Sequence, residues 1–332
     1  MNILLTGGAG YIGSHTAVAL SQAGHEVVIL DNFCNSRKNV LLGLQKILGK
    51  TLIFIEGDVC DTNLVANTLQ KYKIEVVIHF SGLKAVGESV KEPIKYYVNN
   101  VQGTISLLVA MKCSNVKVLI FSSSATVYGN PQYLPIDECH PTRATNAYGR
   151  TKLHIEEILR DVALSSRDWK IICLRYFNPV GAHNSGLIGE DPRGTPNNLV
   201  PYIAKVASGE LPHLNIFGND YDTRDGTGER DYIHVEDLSL GHLAALSHVE
   251  SIEGFLALNL GTGRGYTVLE IIKTFEMVSG KKIRYELGNR RSGDIASCYA
   301  KVDLAYKMLG WKALKSIEEM CASAWRWESL NK

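Results

Sequence analysis

Tyr148 and Lys152 stand four residues apart in the run Ala147-Tyr148-Gly149-Arg150-Thr151-Lys152, downstream of Ser124. A spacing of i, i+4 puts both side chains on one face of a helix. A phenol titrates at about 10 and is a poor base at neutral pH, but an adjacent ammonium favours its phenolate. Such a phenolate can take a proton from an alcohol, and Ser124 can hydrogen-bond the same hydroxyl and hold it in line. A surface tyrosine and lysine could meet by accident at this spacing, yet of the 15 tyrosines only Tyr148 has a lysine four residues on. The set points to hydride chemistry on an alcohol, and therefore to a hydride acceptor.

The acceptor's site is written near the start of the chain. Gly7-Gly8-Ala9-Gly10-Tyr11-Ile12-Gly13 follows the apolar run Asn2 to Thr6 and precedes a helical pattern through Ala23. A strand turning into a helix is the context that a dinucleotide fingerprint requires. The glycines fit either a Gly8/Gly10/Gly13 or a Gly7/Gly10/Gly13 spacing, and the N–H groups at the helix start bind pyrophosphate. The next strand, His25 to Leu30, ends in Asp31, where a carboxylate would take both adenosine ribose hydroxyls and repel a 2′-phosphate. NAD is the expected cofactor over NADP, with Arg37 and Lys38 nearby as the opposing signal. A cationic nicotinamide would further favour the Tyr148 phenolate.

Composition narrows the class. At 332 residues the chain suggests two domains or one elaborated domain, and its net charge of +1 makes no electrostatic case for nucleic acid or an anionic membrane. No apolar run approaches a transmembrane span, and a first strand beginning at Asn2 leaves no room for a signal peptide. Seven cysteines form no CxxC pair, which suits reduced thiols in the cytoplasm, and the ten histidines show no helical ligand pair, so no metal is expected.

These residues need elements to position them. Apolar runs at Leu52 to Ile55, Val76 to Phe80, Val118 to Phe121 and Ile171 to Arg175 read as strands buried on both faces, and Pro93 to Cys113 and Ala147 to Leu164 as helices between them. The expected fold is α/β: a Rossmann-type doubly wound parallel sheet with a smaller C-terminal substrate-binding α/β lobe. Residues 1–177 plus 231–262 would form the NAD-binding half, and 178–230 plus 263–332 the lobe. The stretch from Asn178 to Arg230 is rich in Gly, Pro, Asn and Asp, with one helical pattern around Pro201 to Ser208, and reads as a cover over the substrate. Asp231 to Asp237 then reads as strand into helix, and Leu258 to Gly261 as a further strand.

Several blocks carry a resemblance: TGGAGYIGSH (Thr6 to His15), LDN (Leu30 to Asn32), IHFSGLKAVGES (Ile78 to Ser89), FSSSATVYG (Phe121 to Gly129), YGRTK (Tyr148 to Lys152), RYFNPVGAH (Arg175 to His183), NNLVPYI (Asn197 to Ile203), FGNDY (Phe217 to Tyr221), GTGERDYIHV (Gly226 to Val235) and NLGTG (Asn259 to Gly263). Over essentially its whole length the chain resembles the extended short-chain dehydrogenase/reductases, and among them the UDP-galactose 4-epimerases. The resemblance implies Tyr148 as base and acid, Ser124 assisting and Lys152 tuning the phenol. Hydride would leave sugar C4 for NAD and return to the other face of a 4-keto sugar. It implies NAD contacts at Gly7, Gly10, Tyr11, Ile12, Gly13, Asp31, Asn32, Asn35, Ser36, Asp58, Val59, Phe80, Gly82, Lys84, Asn99, Ser122, Tyr148, Lys152 and Tyr176. The UDP grip would come from Asn178, Asn198, Leu199, Phe217, Arg230, Tyr232, Arg291 and Asp294, with Lys84, Ser124, Tyr148, Phe177 and Cys298 completing the substrate set. Guanidinium groups suit phosphate, amides uracil and a carboxylate ribose.

Departures from the family pattern are few. Ser81 stands where alanine is common, and one residue is missing between Pro135 and Tyr148. Where many epimerases place a tyrosine at the sugar end, the register through Arg290, Arg291, Gly293 and Asp294 brings Cys298. The lost ring leaves volume for an N-acetyl group at C2, unless Tyr299 or a shifted backbone refills it. Rival readings fit less well. A nucleotide-sugar 4,6-dehydratase needs an acid and a base beside the serine, and Ser124-Ala125-Thr126 has no carboxylate. An alcohol dehydrogenase would show an apolar substrate segment, and a non-catalytic NAD-sensing relative would lack the tyrosine or lysine. A homodimer through a four-helix contact is the family's assembly, and Leu107, Leu108, Val109, Ile155 and Ile158 suit either that contact or packing on the parent sheet.

Overall fold

Alternation along the first strand sorts the molecule into layers, because successive side chains of a strand point to opposite faces. In the computed structural model, which describes residues 1–331 apart from Arg193, Thr195, Ser292 and Gly293, β1 runs Asn2–Thr6. Gly293, on the register to Cys298, thus lies outside the described residues. Ile3 and Leu5 enter one buried cluster with Ala17, Leu20, Leu238 and Leu246. Leu4 enters another with Leu69, Leu107, Met111, Ile155 and Leu159. Burying such a side chain fully contributes about 1.5–3 kcal/mol, so helices are held on both faces.

The strands that follow are β2 (Glu26–Asp31), β3 (Ile53–Glu56), β4 (Val76–His79), β5 (Val118–Ser124), β6 (Lys170–Tyr176), β7 (Asn178–Val180), β8 (Leu214–Phe217), β9 (Glu229–His234), β10 (Gly254–Leu260), β11 (Gly265–Thr267), β12 (Tyr285–Gly288) and β13 (Ser297–Cys298). Seven form one parallel sheet in the order β3-β2-β1-β4-β5-β6-β10. The order reverses between β1 and β4, and a crevice at such a switch point is where open α/β sheets bind ligands. In a smaller sheet β9 pairs with β7 and β13 in parallel and with β11 antiparallel, while β8 and β12 pair separately. Helices Leu199–Ala207, Val268–Ser279 and Ile317–Leu330 pack together behind it around Ile203, Ile271, Phe275 and Met320. No helix of the described residues is long and apolar enough to cross a membrane.

Three details differ from the sequence reading. β5 continues through Ser122, Ser123 and Ser124, because these polar residues still pair with Leu174, Arg175 and Tyr176 of β6. The segment from Pro93 to Cys113 is not one regular helix: a turn at Pro93–Tyr96 opens into a π-helical Tyr97–Gln102 before the α-helix Gly103–Cys113. The wider turn lets neighbouring Asn99 and Asn100 both reach Leu83, whose N–H donates to their side-chain oxygens at 3.2 and 2.8 Å. β9 lies in the smaller sheet, so residues 231–234 pair away from the seven-stranded sheet, and the chain returns to it with the helix Val235–His248, packed on Tyr11–Gln22.

Candidate active site

Ser124 ends β5 and Tyr148 opens the helix Ala147–Ser165, so the two meet only if that helix start lies against the end of the strand. Gly149 permits this: a Cβ there would lie 2.8 Å from the Thr126 carbonyl oxygen. The Asn146 side chain caps the helix by accepting from Gly149 N at 2.8 Å. Ser124 Oγ accepts from Thr126 N at 3.2 Å and Thr126 Oγ1 at 3.0 Å, which leaves its own proton to give. Burial pushes the Tyr148 phenol above its usual range, against which the Ser124 hydroxyl and the Lys84 ammonium act.

Lys152 lies one turn farther along the same helix. Its ammonium is buried, donates to the Ser122 carbonyl at 2.7 Å and lies 4.7 Å from the centre of the Phe121 ring. Burial lowers it to about 8, with Cys173 and Glu156 pulling the other way. Tyr148, Lys152 and Glu156 continue one helical face at four-residue steps. Glu156 receives the Arg175 guanidinium, at 2.6 Å from NH2, and the Ser123 hydroxyl, and Arg175 also donates to Tyr128 at 2.9 Å. This buried pair locks the catalytic helix to β5 and β6. The four-residue spacing could have revealed Glu156; the sequence reading passed over it.

The residues assigned to the cofactor line the carboxyl ends of β1 to β6. Gly7 has φ 69°, and a Cβ there would lie 2.7 Å from Ser81 N. Gly10 is the N-cap of Tyr11–Gln22 and offers no side-chain cap, so the first-turn amides of Tyr11, Ile12 and Gly13 are left for an anion. Asp31 accepts from Ala9 N, Phe33 N and Ser36 Oγ at 2.8 to 3.0 Å, which ties the end of β2 to the glycine loop. Asn32 donates to Asp58 at 2.8 Å, and Asn35 is exposed beside them. Val59 is buried, and Gly82 is exposed above Asn100. The Tyr176 hydroxyl meets His242 Nε2 at 2.5 Å, and Phe80 packs on the same imidazole. His242 escaped the sequence reading, since its partner lies 66 residues away. Arg37 and Lys38 are held by Asp191 and Glu56 at 2.8 and 2.7 Å, which turns both cations to carboxylates.

The residues assigned to the substrate gather in two groups. In the smaller sheet Asn178 stands opposite Tyr232 and Cys298 opposite Arg230. Arg230 donates to the Glu229 carbonyl at 2.8 Å, and Cys298 packs with Ala125 and Phe177 just beyond Ser124. Burial pushes the Cys298 thiol up to about 11, so it is a neutral wall group. Farther out, Arg291 donates to Asp294 at 3.0 Å and lies 5.5 Å from the centre of the half-exposed Phe217 ring. Leu199 opens its helix after Asn198, whose amide donates to Glu190. Among the described residues no three His, Cys, Asp or Glu side chains gather as metal ligands.

The NAD dependent epimerase/dehydratase family model matches residues 3–261. The chain is 56% identical over 331 residues to the UDP-glucose 4-epimerase of Bacillus subtilis (strain 168), covering 100% of this chain and 98% of that one. It is 53% identical over 336 residues to the Homo sapiens UDP-glucose 4-epimerase, covering 99% and 97%. Among solved structures, the UDP-glucose 4-epimerase of Bifidobacterium longum in complex with NAD+ and UDP superposes with a TM-score of 0.97 at 53% identity, covering 100% and 99%. That of Stenotrophomonas maltophila with bound NAD and formylated UDP-arabinopyranose gives 0.98 at 49%, covering 99% and 98%.

Proposed function

The chain belongs to the NAD dependent epimerase/dehydratase family, and on that premise we propose that it interconverts UDP-galactose and UDP-glucose as an NAD-dependent 4-epimerase. The observation that carries this reading is the start of the helix Ala147–Ser165, with Tyr148, packed through Gly149 on Thr126 just after Ser124 at the end of β5. The uncapped first turn after Gly10 suits a pyrophosphate, and the Asp31 carboxylate at the end of β2 suits an unphosphorylated adenosine ribose. Bound NAD supplies the hydride acceptor, and afterwards the donor, at sugar C4.

The chain's own residues handle the proton and the grip. Tyr148 Oη takes the proton of the C4 hydroxyl and returns it, and Ser124 orients that hydroxyl. Burial alone raises the phenol, so its activation draws on positive charge: Lys152 and Lys84 from the protein and the cofactor's own charge. Lys152, four residues on along the same helix face, tunes the phenol, and its hydrogen bond to the Ser122 carbonyl anchors the helix that carries the base. Arg230 and Arg291 take the diphosphate, with Asn178 and Asn198 beside them, and Asp294 takes the uridine ribose. Elimination of water lacks its catalysts, since Thr126 Oγ1, and no carboxylate, lies beside Ser124. We divide the chain into an NAD half, residues 1–177 plus 231–262, and a substrate lobe, 178–230 plus 263–332, with residues 231–234 of β9 pairing in the lobe's sheet.

Two finer assignments belong to this reading. Cys298, a small side chain clustered with Phe177 and Ala125 where many epimerases carry a tyrosine, supports turnover of N-acetylated UDP-hexoses as well. A solved epimerase of Campylobacter jejuni described as a UDP-Glc/GlcNAc 4-epimerase is 37% identical to this chain, with a TM-score of 0.86. The protein works as a homodimer in the cytoplasm. Leu107, Leu108 and Ile155 pack on the parent sheet, while Ile94, Val98, Ile105 and Val109 stay exposed along the neighbouring helices and support a contact with a second copy. Seven cysteines without a disulfide among the described residues, Cys113 and Cys139 of them exposed, suit a reducing compartment. Product analysis by NMR tests the substrate range. UDP-galactose and UDP-N-acetylgalactosamine should both yield their C4 epimers, and Cys298→Tyr should suppress only the second reaction. Equal loss of both would remove the role given to Cys298, and turnover of neither would remove the epimerase reading.

A further inference from the structure

Polar groups enclosed in a core each need a partner, and one member that can only donate fixes the direction of a whole line of hydrogen bonds. Arg175 is such a member. Beyond its pair with Glu156 it donates from NH1 to the Tyr128 hydroxyl at 2.9 Å, and that hydroxyl sends its own proton on to Asn259 Oδ1 at 2.7 Å. With its oxygen taken in this way the Asn259 amide has one orientation, and its Nδ2 donates to the Ile136 carbonyl at 3.0 Å. The backbone N–H of Asn259 donates to Glu138 Oε1 at 2.8 Å, which fixes the strand residue that carries the amide. Tyr128, Ile136, Arg175 and Asn259 are all buried, so water offers none of them a substitute partner.

Ile136 is where this line reaches the smaller sheet's side of the site. Its N–H donates to the Tyr299 carbonyl at 2.9 Å, and its carbonyl, besides the Asn259 amide, accepts from Lys301 N at 2.7 Å, which makes a parallel bridge to Ala300. Cys298 stands opposite Arg230 in β13, and the chain that leaves it is thus held at Tyr299 and Lys301 by Ile136, and at Ala300 by Asp231 Oδ2, 3.1 Å from Ala300 N. Ile136 and Cys298 share one buried cluster with Ala125 and Phe177. We propose that Asn259 is a positioning residue for the sugar end of the site: its amide holds the Ile136 peptide, and through it the chain leaving Cys298, in register with Glu156 on the helix that carries Tyr148. The inference rests on the epimerase reading and on the place given there to Cys298. A plain hexose has no C2 substituent that needs this wall and an N-acetylated one does, so loss of the tie falls on the N-acetylated substrate.

Asn259→Leu removes both amide hydrogen bonds at nearly constant volume. In NAD-loaded protein, amide hydrogen exchange read by NMR should accelerate on the order of tenfold at Ile136 and Lys301, while Leu4 and Leu5 of β1 exchange as in the parent. The KM for UDP-N-acetylgalactosamine should rise about fivefold relative to that for UDP-galactose, whereas a mere loss of folded protein lowers both kcat values together and leaves the ratio of KM values unchanged. Asn259→Asp, which keeps the acceptor for Tyr128 and loses the donor to Ile136, should match Asn259→Leu. Tyr128→Phe, which leaves that donor in place but frees the amide to turn, should move both readouts the same way by less, and it serves should the Asn259 variants not fold. Exchange at Ile136 and Lys301 unchanged, or an unchanged KM ratio with both kcat values lowered in parallel, overturns the proposal. A parent protein that turns over UDP-galactose and not its N-acetylated counterpart would instead overturn the reading of Cys298, and one that turns over neither would overturn the epimerase reading. In both cases exchange at Ile136 and Lys301 still decides whether Asn259 holds the wall.

Discussion

Tyr148 carries two opposed influences: burial holds its proton on, and the positive charge around it draws the proton off. A base built this way is strong only while the site is filled, which keeps it from acting on water. Tyr148→Phe removes the hydroxyl and keeps the ring, so packing should survive. We expect kcat to fall by about 10²–10⁴ with nucleotide affinity retained, as read from initial rates and UDP titration calorimetry. A loss of affinity with kcat unchanged would put the residue in binding rather than chemistry. The i, i+4 step from Tyr148 to Lys152 is realised on one helix face, and the Lys152 ammonium donates to the Ser122 carbonyl, which ties that face to β5.

The catalytic helix is placed by ties that run from its middle. Ser123 on β5, Glu156 on the helix and Arg175 on β6 form one buried set, so strand and helix keep a fixed register with Ser124 and Tyr148 at its open end. Removing one member of such a buried pair strands the other charge. Glu156→Ala should therefore cost about 3–5 kcal/mol in urea denaturation, against about 1 kcal/mol or less for the exposed pair Lys38–Glu56. Equal effects of the two would mean that Arg175 finds another partner. Elements whose cause is local were legible in the sequence: β1, β4 and β6 as apolar runs, the glycine loop as strand into helix, the catalytic helix from Ala147. The π-helical turn at Tyr97–Gln102 was not legible, because it rests on Asn100 reaching Leu83, 17 residues away. Glu190 was not legible either, since nothing in its own segment marks it and Lys84 lies 106 residues off.

At the scale of the whole molecule, several histidines are enclosed as neutral groups. Burial lowers His15 and His79 to about 3 and His242 to about 4. The unfolded chain protonates such residues at about 6.5, so their contribution is complete above that pH and is lost as pH falls toward the folded values. Each adds a slope of about 1.4 kcal/mol per pH unit, and stability in urea should drop steeply between pH 7 and 5.5. A flat profile over that interval would mean that the three rings are not enclosed as the fold places them.

The seven-stranded sheet bears the proposed base and the cradle for NAD, and the smaller sheet bears the groups proposed for a nucleotide diphosphate. The measurement that tests this union most directly follows UDP-galactose carrying deuterium at C4 through the purified protein without added NAD, with products read by NMR. The account predicts UDP-glucose with the label kept at C4 and a slower turnover than for unlabelled substrate. Label lost to water, or a product reduced or dehydrated elsewhere on the ring, would contradict it.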